Sequence, residues 1–207
     1  MSAVAVAGLL AGCGTDGPGT VASEPVYRGI AGSCTEMAAP AADAVRAYTG
    51  ELFSAAVAFE EAGAPSTSPD LATKECRAIY AAEAAPAASP ATGPPRRRVI
   101  HLRIALQVGE SALQAAERHF DTACASVDCR ITTGIGDESF EGAVEGSSAT
   151  AVTMFRTGNA VVSVTVDGSN FASGPGGSDR AAEISELAPG ARAIAQAMAA
   201  DLGAVVT

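Results

Sequence analysis

The sequence predicts an α+β domain: a mostly antiparallel sheet of about five strands, with helices packed on it and disulfides stabilising it. Three observations predict this class. Val99–Gln107 alternates apolar and polar residues, and a second alternating pair, Ala149–Thr157 and Ala160–Val166, flanks a Gly158-Asn159 turn. Three longer stretches repeat their apolar residues at helical spacing. Cys34, Cys76, Cys124 and Cys129 make an even set.

The elements follow in chain order. Ser33 is placed to cap a helical pattern from Cys34 to Ala62, carried by Met37, Ala41, Val45 and Tyr48 and then by Leu52, Phe53, Val57 and Phe59. Pro40 fits the first turns, Gly50 is expected to divide the pattern into two helices, and Gly63 and Pro65 end it. Ala64–Asp70 reads as a loop and Cys76–Ala82 as a first short strand. Glu83–Pro95 is broken by Pro86, Pro90, Pro94 and Pro95 and reads as a loop between two strands. In the next strand Ile100, Leu102, Ile104 and Leu106 share one face, and His101, Arg103 and Ala105 are expected to face solvent.

Glu110–Cys124 is an amphipathic helix with Leu113, Ala116 and Phe120 on its buried side. A short strand is expected around Glu138–Val144, and the hairpin follows, its Gly158-Asn159 pair suited to positive φ. The glycine-rich stretch 167–179 reads as a loop. Ser178 or Asp179 then caps a last helix running to about Leu202, buried through Ile184, Leu187, Ala191, Ile194, Ala195 and Met198. Pro189-Gly190 is expected to break it in two.

The N-terminus carries a different signal. Ser2–Gly12 is uncharged, apolar and far too short to span a bilayer, and Leu10-Ala11-Gly12-Cys13 resembles the lipobox of bacterial lipoproteins. That resemblance implies a signal peptide over 1–12, lipidation of Cys13, a tether over 13–29 and a single extracytoplasmic domain over 30–207. Gly14–Thr20 is small, polar and helix-breaking, as a tether asks. No Lys or Arg precedes Arg28, so the natural start is expected upstream. The implied location is the outer face of the cell membrane.

A net charge of −10 argues against nucleic acid as partner, because phosphate contacts need a basic field. With Cys13 lipidated, the other four cysteines are expected to form disulfides outside the cytoplasm, and three pairings are open. The short Cys124–Cys129 loop favours closing on itself, which leaves Cys34–Cys76 to tie the first helix to the first strand. No Cys-x-x-Cys occurs and the two histidines lack ligand spacing, so no metal and no cofactor is expected.

Several phrases occur together in order: Cys34 before a helix, Glu75-Cys76-Arg77-Ala78-Ile79-Tyr80, Gly134-Ile135-Gly136-Asp137-Glu138-Ser139-Phe140, and Arg156-Thr157-Gly158-Asn159-Ala160-Val161-Val162. With the lipobox, this resembles the actinobacterial lipoprotein family grouped as domain of unknown function 3558, across roughly residues 30–203. Tyr80 stands where the family often has Trp, Ser139-Phe140 replaces Ala-Tyr, and Cys124/Cys129 is not a pair to count on there. The resemblance implies location and fold and no catalytic residues.

Four features are candidates for chemistry. Gly134-Ile135-Gly136-Asp137-Glu138 lacks the third glycine and the preceding parallel strand of a phosphate loop and reads as a tight turn capped by its Asp. His101 and His119 have no Gly-x-Ser-x-Gly elbow to serve, and Arg103 is expected to hold the His101 pKa low. Glu110, Asp137, Glu138 and Glu141 are acid candidates by residue type alone. Arg96-Arg97-Arg98 is a candidate interaction patch for an acidic polymer, set against an ordinary solvated start of a strand. The expected role is therefore non-catalytic: a membrane-anchored envelope lipoprotein binding a partner protein or wall component through its sheet face or loops. The alternative is a carrier of an apolar ligand or lipid in a cavity between sheet and helices, lined by Ile100, Leu102, Val162 and Val164.

Overall fold

One antiparallel sheet organises the molecule in the computed structural model, which describes residues 26–30, 32–64, 66, 68–83, 93–144, 149–172 and 179–207. In chain order the elements are α1 (Cys34–Ala38), α2 (Ala42–Thr49), β1 (Glu60–Glu61), β2 (Leu71–Ala81), β3 (Pro95–Gln107), α3 (Ala112–Ala125), β4 (Asp128–Thr132), β5 (Glu138–Val144), β6 (Thr150–Thr157), β7 (Ala160–Asn170), β8 (Arg180–Ala181) and α4 (Ile184–Ala200). The sheet has 8 strands in the order β1-β2-β3-β7-β6-β5-β4, with β8 added beside β7.

The class is as expected, and the strand count corrects the expected five. The three extra strands are short: β1 and β8 span 2 residues each and β4 spans 5. Pieces of that length carry too little alternation to be read from sequence. Two expected strands also run longer. β2 starts at Leu71, because its first residues pair with the far end of β3 from Leu71↔Gln107 onward, and β7 continues to Asn170 instead of giving way to a loop at 167.

The inner face of the sheet is apolar from Ile100 to Leu106 on β3 and from Ala160 to Val166 on β7. Ile100, Leu102, Ile104 and Leu106 of β3 and Val162, Val164 and Val166 of β7 are all at 0% exposure in one buried cluster. α4 lies over them with Leu187, Ala191, Ile194, Ala195 and Met198. The helix is unbroken at Pro189, which corrects the expected break. A proline inside a helix costs about 3 kcal/mol, which this apolar stripe outweighs by burial on the sheet. Its cap is Glu183, and the Glu183–Glu186 capping box replaces the expected Ser178 or Asp179, the latter standing just before β8.

α1 and α2 cover the β2 end of the same face. Ser33 caps α1 as expected, through a capping box with Glu36. Gly50 ends α2 with φ 54, but no second helix follows: a single 3-10 turn reaches Leu52 and an extended segment leads to β1. The apolar residues of 53–59 therefore line a wall beside α2 without being helical. Gly190 of α4 lets α2 approach, since a Cβ there would lie 2.3 Å from the Tyr48 ring.

The outer face is covered only in part. Ala116 and Phe120 of α3 pack on Ala105, Phe140, Met154 and Val161, and the Phe120 and Phe140 rings tilt together with centroids 5.2 Å apart. Ala105 is thus buried and not solvent-facing, and Leu113 is only half-buried while Ala112 takes its expected place.

Both disulfides adopt the preferred pairing, Cys34–Cys76 with Cα atoms 5.6 Å apart and Cys124–Cys129 at 5.3 Å. Each fastens a helix to a strand, α1 to β2 and α3 to β4, so the two ends of the sheet are both stapled. The folded body begins earlier than residue 30. Asn159 is fully buried, and its side chain accepts from the Tyr27 N–H at 2.7 Å and donates to the carbonyls of Tyr27 and Gln107. Ile30 then bridges Val206, joining the two chain ends. Arg28 and Gly29 likewise donate their N–H groups to the Thr207 carbonyl.

Candidate functional site

The half of the outer face that α3 leaves open is the candidate site. Period-two alternation places Glu75, Arg103 and Ser163 in one cross-strand row and Arg77, His101 and Thr165 in the next. Thr73, Thr150 and Asp167 border them, and together with Gly63 and Ala64 they enclose a polar depression of about 560 Å³. Arg103, His101, Ser163, Thr165 and Asp167 are all half-buried.

Its charges are largely unspent. Among the described residues neither Arg103 nor Asp167 has an ion-pair partner, although each is half-buried. His101 Nδ1 lies 3.9 Å from Glu75 Oε1. Burial lowers the His101 pKa, Asp167 and Glu75 oppose this, and Arg77 and Arg97 add to it. The direction is the expected one, but the expected cause, Arg103, is not: that guanidinium instead assists burial in lowering His119. His119 Nδ1 is 3.2 Å from the Gln107 amide on the α3 side. Among the described residues no hydroxyl hydrogen-bonds either imidazole; Ser163 and Thr165 face each other at 3.5 Å. The arrangement can bind a polar ligand through a guanidinium, two carboxylates and several hydroxyls.

The other sequence candidates fall elsewhere. Gly134 and Gly136 take φ 85 and φ 60, so the phrase is a tight turn as expected, but its acids brace the hairpin beside it. Asp137 accepts from the Gly158 N–H at 2.7 Å, and Glu138 accepts from Nε of Arg156, which is only 3% exposed, at 3.0 Å. Gly158 alone of the hairpin pair has positive φ, at 57, since among the described residues no non-glycine residue does. Glu141 pairs with Arg130 and Arg192 at the β4 edge, and Glu110 stays exposed at the start of α3. Among the described residues no group of three His, Cys, Asp or Glu is placed to hold a metal.

The arginine run does not form one patch. Arg96 pairs with Asp179 and stacks 5.5 Å from the centre of the Phe171 ring, and Arg97 is exposed on the outer side. Arg98 is turned inward, 5% exposed, donating to Asn170 Oδ1 and the Ser169 carbonyl at 2.9 Å. Strand alternation is the reason: neighbours in a strand point to opposite faces. Beside it burial pushes the Tyr48 hydroxyl up to about 12, against the pull of Arg98.

Ile100, Leu102, Val162 and Val164 are fully buried, in the same apolar cluster as the α4 stripe. Cys13, the segment 1–12, most of the 83–95 loop and residues 173–178 lie outside the described residues. The open depression itself was missed as a site, though alternation of β3 against β7 was its available signal. No protein-family model, curated protein or solved structure matches this chain.

Proposed function

We propose that this chain is a lipid-anchored, non-catalytic protein of the cell envelope that binds a partner protein or wall component through the open half of its outer sheet face. One observation carries the binding reading: among the described residues a half-buried arginine and aspartate without ion-pair partners sit in a polar depression that no described helix covers. A monomer with no use for that face would gain by covering it or pairing its charges. Two disulfides in one domain support an oxidising location, and the lipobox-like Leu10–Cys13 supplies the anchor. The motif order resembling domain of unknown function 3558 agrees with this placement. The carrier reading as framed from sequence has less support, because its lining residues are occupied by α4.

Three measurements test the reading. Metabolic labelling with a fatty-acid analogue is expected to mark the wild type and not Cys13→Ala; equal labelling would remove the anchor from it. Co-sedimentation with purified cell wall, and cross-linking in intact envelopes, are expected to fall about tenfold or more in Arg103→Glu with an unchanged melting temperature. Undiminished binding would exclude the sheet face.

A further inference from the structure

On the opposite side of the sheet a second depression differs from the first in every chemical respect. It runs between α2 and the extended segment 53–59, with a volume of about 420 Å³. Ala38, Ala39 and Ala42 form one wall, where methyl side chains leave a trough that larger residues would fill. Val45 and Tyr80, at 1% and 2% exposure, make the floor, and Phe53, Val57 and Phe59 stand half-buried as the other wall.

Among the described residues one charged side chain lines this trough. Arg46 holds its guanidinium 5.0 Å from the centre of the Phe53 ring, at the rim. Its one carboxylate neighbour, Asp43, is 4.0 Å away with a side chain 99% exposed, so the pair is weak and exchangeable. With Arg46 at its rim, the apolar trough offers an anionic head an ionic contact that a neutral one lacks. An alkyl chain would gain burial along the alanines and Phe59, and a carboxylate head would gain a bidentate contact with Arg46. A cationic head would be repelled there, and a neutral one would gain only the burial.

We infer that this trough binds a single-chain fatty acid, its alkyl chain between α2 and residues 53–59 and its carboxylate on Arg46. The inference is independent of the proposed partner surface, which lies on the other face of the sheet.

Calorimetric titration of the full chain with dodecanoate below its micelle concentration, beside dodecanol and dodecylammonium, tests it. Dodecanoate is expected to bind at least about tenfold more tightly than either analogue. Arg46→Glu is expected to cost dodecanoate about tenfold while leaving dodecanol within about twofold. Ala42→Phe, at an exposed helix position, is expected to weaken both by filling the trough. Thermal melts of each variant check folding, and Arg46→Glu at an exposed site keeps the test valid if Ala42→Phe does not fold. No binding by the wild type, no preference for the anion, or unchanged affinity in Arg46→Glu would overturn the inference.

Discussion

The two faces of one sheet use their residues in opposite ways. On the inner face every β3 and β7 position toward α4 from Ile100 to Leu106 and from Ala160 to Val166 is apolar and fully buried. On the outer face the same strands carry apolar residues beneath α3, at Ala105 and Val161, turn polar at Arg103, His101, Ser163 and Thr165, and become apolar again at Val99, which is 2% exposed. α3 has 14 residues and is about 21 Å long, and it packs on the β4 side of that face. Beneath each helix the strands are therefore apolar, and the polar residues gather where α3 ends.

Substitutions can break that contrast in a graded order. Phe155→Ala on the inner face, at 0% exposure, is expected to cost about 3–5 kcal/mol in denaturant unfolding. Replacing Cys34 and Cys76 by Ala removes a link across 42 residues and is expected to cost roughly 3–4 kcal/mol, against about 2 for Cys124 and Cys129, whose separation is 5. Comparing the two melting temperatures shows which end of the sheet depends more on its staple.

Gly190→Ala is expected to lower stability by about 1–3 kcal/mol because its methyl meets the Tyr48 ring. Adding Tyr48→Ala should recover part of that loss, and strict additivity of the two would deny that they touch.

A smaller effect separates the faces by pH. Burial lowers both His101 and His119, so the folded state favours the neutral rings more than the unfolded chain does. Their contribution is complete above the unfolded imidazole value of about 6.5 and is lost as pH falls from there through the folded values. His101→Gln with His119→Gln should flatten the pH dependence of the melting temperature in that window, and an unaltered slope would assign it to other groups. The smallest effect belongs to the open face: Ser163→Ala and Thr165→Ala should stay within about 0.5 kcal/mol of wild type by the same unfolding assay.

Much of the fold is legible in the sequence because it rests on periodicity. The alternation of β3, the span Glu138–Val144, the hairpin around Gly158 and the buried stripe of α4 are all local patterns written in a few neighbouring residues. The disulfide preference came from loop length and cysteine parity. The polar rows of the candidate site are visible as single residues, His101 and Arg103, but their partners Glu75, Ser163 and Thr165 are distant in sequence. Only register brings them together.

The sequence by itself determined the class of fold and the alternating faces of Ile100–Leu106, and it favoured the pairing that the cysteines adopt. Tertiary structure alone decided three things: that 53–59 leaves the helix after Gly50, that Pro189 stays inside α4, and that α3 stops short of His101 and Arg103. In each case the local preference is worth about 1–3 kcal/mol, and burial against a distant element outweighs it or is withheld. Which half of the sheet stays open is set by where helices find apolar surface to cover, and no single segment encodes that.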